Sequence, residues 1–283
     1  MWGALLSGRP LGGRTVLAFV LLHVFLYGGA NAFNTYYDRD TGPIGGLEHP
    51  PPVRRALLPW SVGLQLAGLA AAPLVGRAFT ALYGALLLVF TAYSYPAVRL
   101  KRHAWVSLAA IGLAQGGVAF AAGWVSTRLP GARPDTASSA AAAASAPGDV
   151  LAAGAPAVWG CISAVLIVAA LYPLSQIYQT AEDSGRGEET LGVVLGRGGA
   201  LGLTMALLVP GLGAAALAGW DRFGVAWTAL LLVYGTAFLT TLIVSRRRLT
   251  ESPAGPAFRR VMALNYVNST AFLLFIGIQL LRA

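Results

Sequence analysis

The stretch that decides the fold reads NAFNTYYDRDTG over residues 31–42, and its pattern recurs as QIYQTAEDSGRG over residues 176–187. In both stretches an amide is followed by a second amide at +3, an Asp at +7 and a Gly at +11. The shared positions are Asn31, Asn34, Asp38 and Gly42, then Gln176, Gln179, Asp183 and Gly187. Positions i, i+3 and i+7 share one helix face, and Gly commonly follows a helix C-terminus. The repeat therefore predicts two helices that end in matched polar faces.

Both polar patterns follow long apolar segments. Of the 283 residues, 56% are apolar and only 11% are charged, whereas soluble domains usually carry about 25% charged residues. The mean hydropathy is +0.65. A soluble globule of this length has too little interior to bury so much apolar surface, so the composition predicts a membrane protein with several spans. A polar face at the end of an apolar segment suits a charged head group joined to an apolar tail.

Eight apolar runs have the length of a membrane span. They cover residues 14–34, 59–76, 79–96, 104–126, 150–178, 199–219, 224–245 and 262–281. Period-two alternation, which would indicate strands, is absent. We therefore expect an all-α, polytopic membrane bundle of about eight transmembrane helices that forms one domain over residues 1–283. Segment 127–149 contains the tract TASSAAAAASAPGD and is predicted to be a flexible external loop.

The distribution of basic residues predicts the orientation. Of the 20 Lys and Arg residues, 13 lie in the loops 35–58, 97–103, 179–198 and 246–261. The positive-inside rule makes this the cytoplasmic side of a multi-pass protein of the plasma (inner) membrane. The net charge of +9 is explained in the same way, so no nucleic-acid partner is expected. Only about 13 residues precede the first span, too few to cross a bilayer. One flank of that span is thus left for membrane lipid or for another subunit of an oligomer.

Three segments resemble those of a known family. They are NAFNTYYDRDTGPIGGLEHPP over 31–51, YSYPAVRLKR over 93–102 and QIYQTAEDSGRGEETLGVVLG over 176–196. In this order they resemble the Asp-rich motif, the YxxPxxxKR segment and the second Asp-rich motif, with its GxxTLxVxLG tail, of the UbiA superfamily of intramembrane prenyltransferases. The resemblance is to the 4-hydroxybenzoate polyprenyltransferase type and covers nearly the whole chain from residue 31. It implies two four-helix halves around a central cavity.

The resemblance also implies a reaction. These enzymes transfer a prenyl group from a prenyl diphosphate to a small lipophilic or aromatic acceptor, and Mg²⁺ bridges their carboxylates to the diphosphate. Carried over residue by residue, Asp38, Asp183 and Lys101 are the expected catalytic residues. The expected Mg²⁺ ligands are Asp38 and Asp183, with help from Asn34 and Gln179, and Lys101 would contact the diphosphate.

The remaining expected substrate contacts are polar or aromatic side chains near these positions: Asn31, Asn34, Gln176, Gln179, Arg102, Tyr93 and Tyr178. Each type also has a plainer role in a membrane protein. Amides hydrogen-bond between helices, Arg residues anchor cytoplasmic loops, and Tyr residues lie in interfacial belts.

The sequence departs from the family pattern at the carboxylates themselves. Asn34, Gln176 and Gln179 stand where the family usually has Asp. Three such replacements remove about three negative charges from a two-metal site and weaken divalent binding. Nearby acids that could compensate are Asp40, Glu182 and Glu189. The site could hold one Mg²⁺ instead of two, use Arg and Lys in place of metal, or bind an isoprenoid without turning it over.

Two alternatives to a transferase therefore stay open. The first is a catalytically altered homologue that binds an isoprenoid lipid. The second is a transporter, because repeat-built carriers also have matched polar patterns in two halves. Against the transporter, the two patterns lie at helix ends and not at the middle of the membrane.

Overall fold

A computed structural model describes residues 1–128 and 154–282, with side chains described up to residue 279. The predicted external loop 127–149 lies almost entirely outside the described residues. Within them the chain is helical, and β pairing is limited to two isolated bridges. The helices, in chain order, are α1 Trp2–Leu6, α2 Gly13–Asp38, α3 Leu57–Leu74, α4 Arg77–Ser94, α5 Ala104–Ser126, α6 Ala155–Gln176, α7 Thr180–Gly185, α8 Leu191–Val194, α9 Gly196–Val244, α10 Arg246–Thr250 and α11 Ala254–Arg282.

Seven of these helices are long and apolar enough to cross a membrane. The longest, α9, has 49 residues and is interrupted at Gly224, whose backbone has φ 74° and ψ 169°. Glycine adopts this conformation readily because it has no Cβ. The two arms of α9 match the predicted runs 199–219 and 224–245. The expected all-α membrane bundle is therefore confirmed, and two of its eight predicted spans are the arms of one interrupted helix.

Successive long helices alternate in direction, which gives the bundle two distinct ends. At one end, Ser94 of α4 donates a hydrogen bond to Asn34 of α2 over 2.8 Å. We call this the motif end, because both polar patterns lie there. At the other end, called the far end, Thr15 of α2 donates to the carbonyl oxygen of Ser126 of α5 over 3.4 Å.

The buried apolar residues of the described chain form two clusters, the first mostly in the N-terminal half and the second in the C-terminal half. The first contains Leu26, Phe79 and Leu86, and the second contains Leu174 and Leu242. Large apolar side chains also cover the outer surface, as expected where lipid surrounds the helices; examples are Trp60, Leu88 and Val244, which are 76%, 71% and 78% exposed.

Between the halves lies a largely apolar cavity of about 590 Å³, lined by residues such as Leu22, Val168, Leu208 and Phe238. Two of its walls are π-helical, over Leu21–Tyr27 of α2 and Gly112–Val118 of α5. Such segments are rare in proteins overall, and those that occur often lie at functional sites. The central cavity implied by the resemblance is thus present.

Candidate active site

The first polar pattern ends α2 and turns the chain back over the bundle. Arg39 follows Asp38 in the left-handed conformation (φ 50°) that closes many helices. The turn brings Asp40 back into the protein, where it is only 7% exposed. The sequence suggested Gly42 as the helix stop, but its role is a different one. A Cβ atom there would lie 2.6 Å from the carboxylate of Glu182, so Gly42 lets the two motifs approach.

The second pattern begins at the end of α6 and continues through α7. Gln176 is the last residue of α6, and Asp183 is buried on α7. Gly187, with φ 69°, reverses the chain after α7 and directs Glu188 inward. The next residue, Glu189, donates its backbone N–H to the carbonyl oxygen of Arg102 over 3.1 Å. This contact holds the second motif against the short turn Leu100–Arg102.

The two motifs and the YxxPxxxKR segment converge on a small polar pocket of about 70 Å³ at the motif end. Its lining residues are Asn34, Asp38, Asp40, Ile44, Tyr93, Lys101, Gln176, Gln179, Asp183, Arg186, Glu188 and Thr190. Seven of them were predicted as site residues from the sequence. Three further predicted residues do not line it. Asn31 and Arg102 are exposed, and Tyr178 packs edge-on against Phe258 with ring centroids 5.1 Å apart.

Two cations link a carboxylate of the first motif to one of the second. Lys101 Nζ contacts Asp38 Oδ2 and lies 4.0 Å from Glu188 Oε1. Arg99 contacts Glu188, and its Nη2 lies 3.6 Å from Asp38 Oδ1. The Asp38 and Glu188 side chains are only 3% and 5% exposed. Buried carboxylates are tolerated when they are paired in this way, so Lys101 and Arg99 compensate the negative charge of Asp38 and Glu188.

A third cation, Arg186, connects the motifs at their rim. Its guanidinium contacts Asp40 and lies 2.6 Å from Glu182. Burial disfavours the charged guanidinium, but Asp40 and Glu182 outweigh that effect and raise the pKa of Arg186. Glu182 also accepts the backbone N–H of Thr41 over 3.0 Å. Burial favours the neutral Glu182, yet Thr41 and Arg186 hold its pKa below the usual value. Glu182 and Arg186 therefore stay charged near neutral pH.

Asp183 differs from the other acids of the pocket. In the described parts of the chain it forms no ion pair within 4.0 Å, and its Oδ2 accepts a hydrogen bond from Thr190 Oγ1 over 3.0 Å. Burial raises the pKa of Asp183 to about 6, although the Thr190 hydroxyl opposes this shift. Asp183 is thus a buried carboxylate without a paired cation, so an incoming cation would stabilise its charged form.

Two of the amides that replace family carboxylates are held by neighbouring helices. Asn34 Oδ1 accepts from Ser94, and Gln176 Oε1 accepts the backbone N–H of Leu191 over 3.0 Å. Gln179 makes only a long contact of 3.5 Å, from Nε2 to the carbonyl oxygen of Pro43. The Gln176 contact joins α6 to the start of α8, so this amide positions the second motif as well as lining the pocket.

The pocket residues fit a divalent cation with oxygen ligands. Two buried carboxylate oxygens, Asp38 Oδ1 and Asp40 Oδ2, have no hydrogen-bond partner. An unsatisfied buried acceptor costs about 1–3 kcal/mol, and Mg²⁺ prefers such oxygens. No group of three His, Cys, Asp or Glu side chains is preassembled for a metal within residues 1–128 and 154–279. A metal here would therefore draw part of its coordination from substrate or water.

The structure adds pocket residues that the sequence did not single out. Arg186 lines the pocket and Arg99 pairs with pocket-lining Glu188, although both resembled loop anchors. Glu188, not Glu189, is the inward-facing acid. Asp40 was predicted as a compensating acid, and it does line the pocket. Thr190 lies within the GxxTLxVxLG segment, so a signal for it was present in the motif.

Comparisons with known proteins agree with this arrangement. The described fold superposes on a UbiA homolog from Archaeoglobus fulgidus bound to DMAPP and Mg²⁺, with TM-score 0.65, 16% identity and coverage of 99% of this chain and 93% of that chain. The same homolog bound to GPP and Mg²⁺ gives TM-score 0.64 at 16% identity, covering 99% and 95%. A digeranylgeranylglyceryl phosphate synthase structure gives 0.62 at 16% identity, covering 99% and 91%.

At such identities the structural similarity establishes the fold alone. No curated protein matches the sequence. The sequence itself matches the model of the UbiA prenyltransferase family over residues 1–265, which include both polar motifs and the lysine between them. The bundle, the cavity and the paired motifs thus have one common explanation: the chain belongs to the UbiA prenyltransferase family.

Proposed function

We propose that the protein is a membrane prenyltransferase that moves a prenyl group from a prenyl diphosphate to a small lipophilic or aromatic acceptor. The observation that carries this proposal is the closeness of a charged pocket to an apolar cavity, and we call the region between them the junction. Gln176 lines the pocket and Leu171 lines the cavity, only five residues earlier on α6. Five residues of helix span about 7.5 Å. A diphosphate in the pocket therefore places its hydrocarbon chain next to the cavity.

The proposed Mg²⁺ ligands are Asp38 and Asp183, assisted by the amide oxygens of Asn34 and Gln179. The similar homolog binds Mg²⁺ together with DMAPP in one structure and with GPP in another, which supports this assignment. When bound, Mg²⁺ neutralises the diphosphate and makes it a better leaving group. Lys101 sits beside Asp38 at the same pocket, where its ammonium group would donate to a diphosphate oxygen.

The residues around the junction serve the bond-breaking step. The C–O bond to the diphosphate breaks with its electron pair leaving on oxygen, and the resulting allylic cation bonds to the acceptor, which then loses a proton. Tyr93 lines the pocket and shares a 2.8 Å hydrogen bond with Tyr172, next to cavity-lining Leu171. Aromatic faces stabilise a nearby cation, and the apolar cavity below excludes water that would otherwise capture it.

The test is product formation by the purified protein in lipid nanodiscs, with radiolabelled geranyl diphosphate, Mg²⁺ and an extract of the host's membrane lipids as acceptors. We expect labelled lipid product that is lost in Asp38→Ala and in Asp183→Ala. Asp221→Ala is the matched control, because Asp221 is an exposed acid at the far end, and it should leave the product yield unchanged. Equal activity of all three variants would contradict the assigned site. The absence of product from the wild type would contradict the proposed transferase activity.

One observation favours a second candidate, a homologue that binds an isoprenoid lipid without turning it over. Asp38, Asp40 and Glu188 are already paired with Lys101, Arg99 or Arg186. Side-chain cations could therefore neutralise the site without metal. In the same nanodisc experiment, this candidate predicts that labelled diphosphate is retained unchanged on the protein and that chelating Mg²⁺ does not release it.

A further inference from the structure

The short helix α1 lies inside the bundle and not on its surface. Ala4, Leu5 and Leu6 are 0%, 4% and 4% exposed. The helix packs at the far end, against α5, α6 and α9. Arg222 of α9 donates to the carbonyl oxygen of Leu5 over 3.3 Å. As expected, this segment does not span the membrane, but it is an internal element of the fold.

The seat for α1 depends on two glycines. A Cβ atom on Gly3 would lie 2.1 Å from the carbonyl oxygen of Phe120, which allows no side chain there. A Cβ atom on Gly160 of α6 would lie 2.4 Å from Leu6. The approach at Gly3 is possible only without a side chain, so these glycines let α1 pack closely between α5 and α6.

Trp2 is the residue of α1 whose large side chain lines the central cavity. Its indole N–H donates to Ser163 Oγ over 2.9 Å. The ring stacks on Phe223 with centroids 5.8 Å apart and meets Phe272 edge-on at 6.3 Å. One hydrogen bond and two ring contacts fix the orientation of the indole, which therefore forms a defined part of the cavity wall.

The position of Ser163 on α6 shows how far Trp2 lies from the polar pocket. Ser163 precedes Gln176 by thirteen residues on the same helix, which corresponds to about 20 Å. Gln176 lines the polar pocket, while Val168 and Leu171, which lie between these two residues on α6, line the cavity. A prenyl chain whose diphosphate occupies the pocket therefore extends about 20 Å along α6 before it reaches the indole, and the deeper part of this path, from Leu171 to Ser163, runs along the cavity.

We propose that Trp2 is the floor of the prenyl-chain cavity and sets the longest prenyl chain that the protein accepts. The proposal rests on the proposed function, since it takes a prenyl diphosphate as the ligand. It goes further by assigning chain-length selection to a residue of α1, far from both motifs in sequence and in space. The alternative is that α1 only seals the bundle, in which case shortening Trp2 changes stability without changing length preference.

The test measures equilibrium binding of geranyl, farnesyl, geranylgeranyl and a longer polyprenyl diphosphate to the protein in nanodiscs, because binding does not require turnover. We expect Trp2→Ala to raise the affinity ratio of the longest to the shortest ligand by about tenfold or more, the scale at which a hydrophobic pocket discriminates by size. Trp2→Phe, which keeps most of the wall, should give a smaller change. Trp60→Ala removes an exposed Trp from α3 and is the matched control.

Three results would overturn the proposal: an unchanged ratio in a folded Trp2→Ala protein, an equal shift in Trp60→Ala, or no binding of any prenyl diphosphate. If Trp2→Ala does not fold, Trp2→Leu retains an apolar side chain and should shift the ratio in the same direction. Product formation is measured alongside. Wild-type turnover with an unchanged length ratio rejects only the role of Trp2, whereas binding without turnover rejects only the transferase.

Discussion

At the scale of single residues, the pocket is defined by an imbalance of charge. Together with the side chains ion-paired to its lining, it has five acids, which are Asp38, Asp40, Glu182, Asp183 and Glu188, and three cations, which are Arg99, Lys101 and Arg186. Five negative and three positive charges leave a net charge of −2, which equals in magnitude the charge of one divalent cation. This balance would attract a divalent cation to the pocket, and a bound diphosphate would add further negative charge.

The sequence predicted Asp38, Asp183 and Lys101 because they occupy matched motif positions. It could not predict Arg186 or Glu188 in the same way. A charged residue in a loop resembles a membrane anchor until the fold shows whether it points inward, and Glu188 does so because Gly187 reverses the chain just before it. Similarly, Tyr178 was predicted as a substrate contact, and its packing against Phe258 depends on α11, which is distant in sequence.

The first prediction concerns Asp183, whose carboxylate is buried without an ion pair among the described residues. Burial raises its pKa from 3.8 to about 6, so the charged form destabilises the folded state at pH 7. Asp183→Asn should therefore raise the free energy of unfolding by up to about 3 kcal/mol. In detergent with EDTA present, this gain appears as a higher melting temperature. The gain should be complete above the folded pKa and disappear as the pH falls below the unfolded value near 4.

Thermal unfolding of the wild type and of Asp183→Asn at pH 7.5, 6 and 4.5 checks this. The same substitution should abolish product formation, as expected of a residue kept charged for function at the expense of stability. A melting temperature for Asp183→Asn that is equal to or below that of the wild type at pH 7.5 would show that the carboxylate is already neutralised.

At the scale of elements, ion pairs and glycines set the distances between helices. Arg186 joins the loop after α2 to α7, and Gly116 brings α5 against α6. Composition and run length predicted the number of spans well, because they depend on local hydropathy. The short polar interruption between the predicted runs 199–219 and 224–245 coincides with the kink at Gly224 that divides α9 into two arms.

The second prediction tests Arg186 as the connection between the motifs. Arg186→Gln leaves the buried carboxylate of Asp40 without its cation, and breaking such a pair costs about 3–5 kcal/mol when both partners are buried. Since Arg186 is partly exposed, we expect a smaller loss of about 2 kcal/mol in unfolding free energy. Arg259→Gln is the control, because the Arg259–Glu48 pair is 59% and 29% exposed and should contribute less than about 1 kcal/mol. Equal losses in the two variants would contradict a specific role for Arg186.

The third prediction concerns the approach of α5 to α6. A Cβ atom on Gly116 would lie 2.6 Å from the backbone oxygen of Ala164, and backbone cannot move aside as a flexible side chain can. Gly116→Ala should therefore destabilise the protein by about 1–3 kcal/mol. Gly202 of α9 has no atom within 4 Å of the corresponding position, so Gly202→Ala should be neutral or stabilise by up to about 1 kcal/mol. Melting temperatures in one detergent compare the two, and a stabilising Gly116→Ala would mean that the helices are not in close contact there.

At the scale of the whole molecule, chemistry and topology coincide at one end. The polar pocket, the Lys101 segment and most of the charged residues lie at the motif end. The far end is closed by α1. The cavity lies between the two ends, and two of its walls are π-helical. The same bias of Lys and Arg that predicts orientation therefore also supplies the cations of the pocket. One distribution of charge would serve both insertion and catalysis, with the pocket facing the cytoplasm.

The fourth prediction tests this orientation. Cys161 is the only cysteine, so Cys161→Ala gives a background on which single cysteines can be placed. Glu251 at the motif end and Asp221 at the far end are both exposed acids. In intact cells, a membrane-impermeant maleimide should label Asp221→Cys and should label Glu251→Cys only after the membrane is opened. The reverse pattern would place the pocket outside the cell, where the positive-inside rule does not place it, and the prenyl diphosphate would then have to reach the protein from the external face.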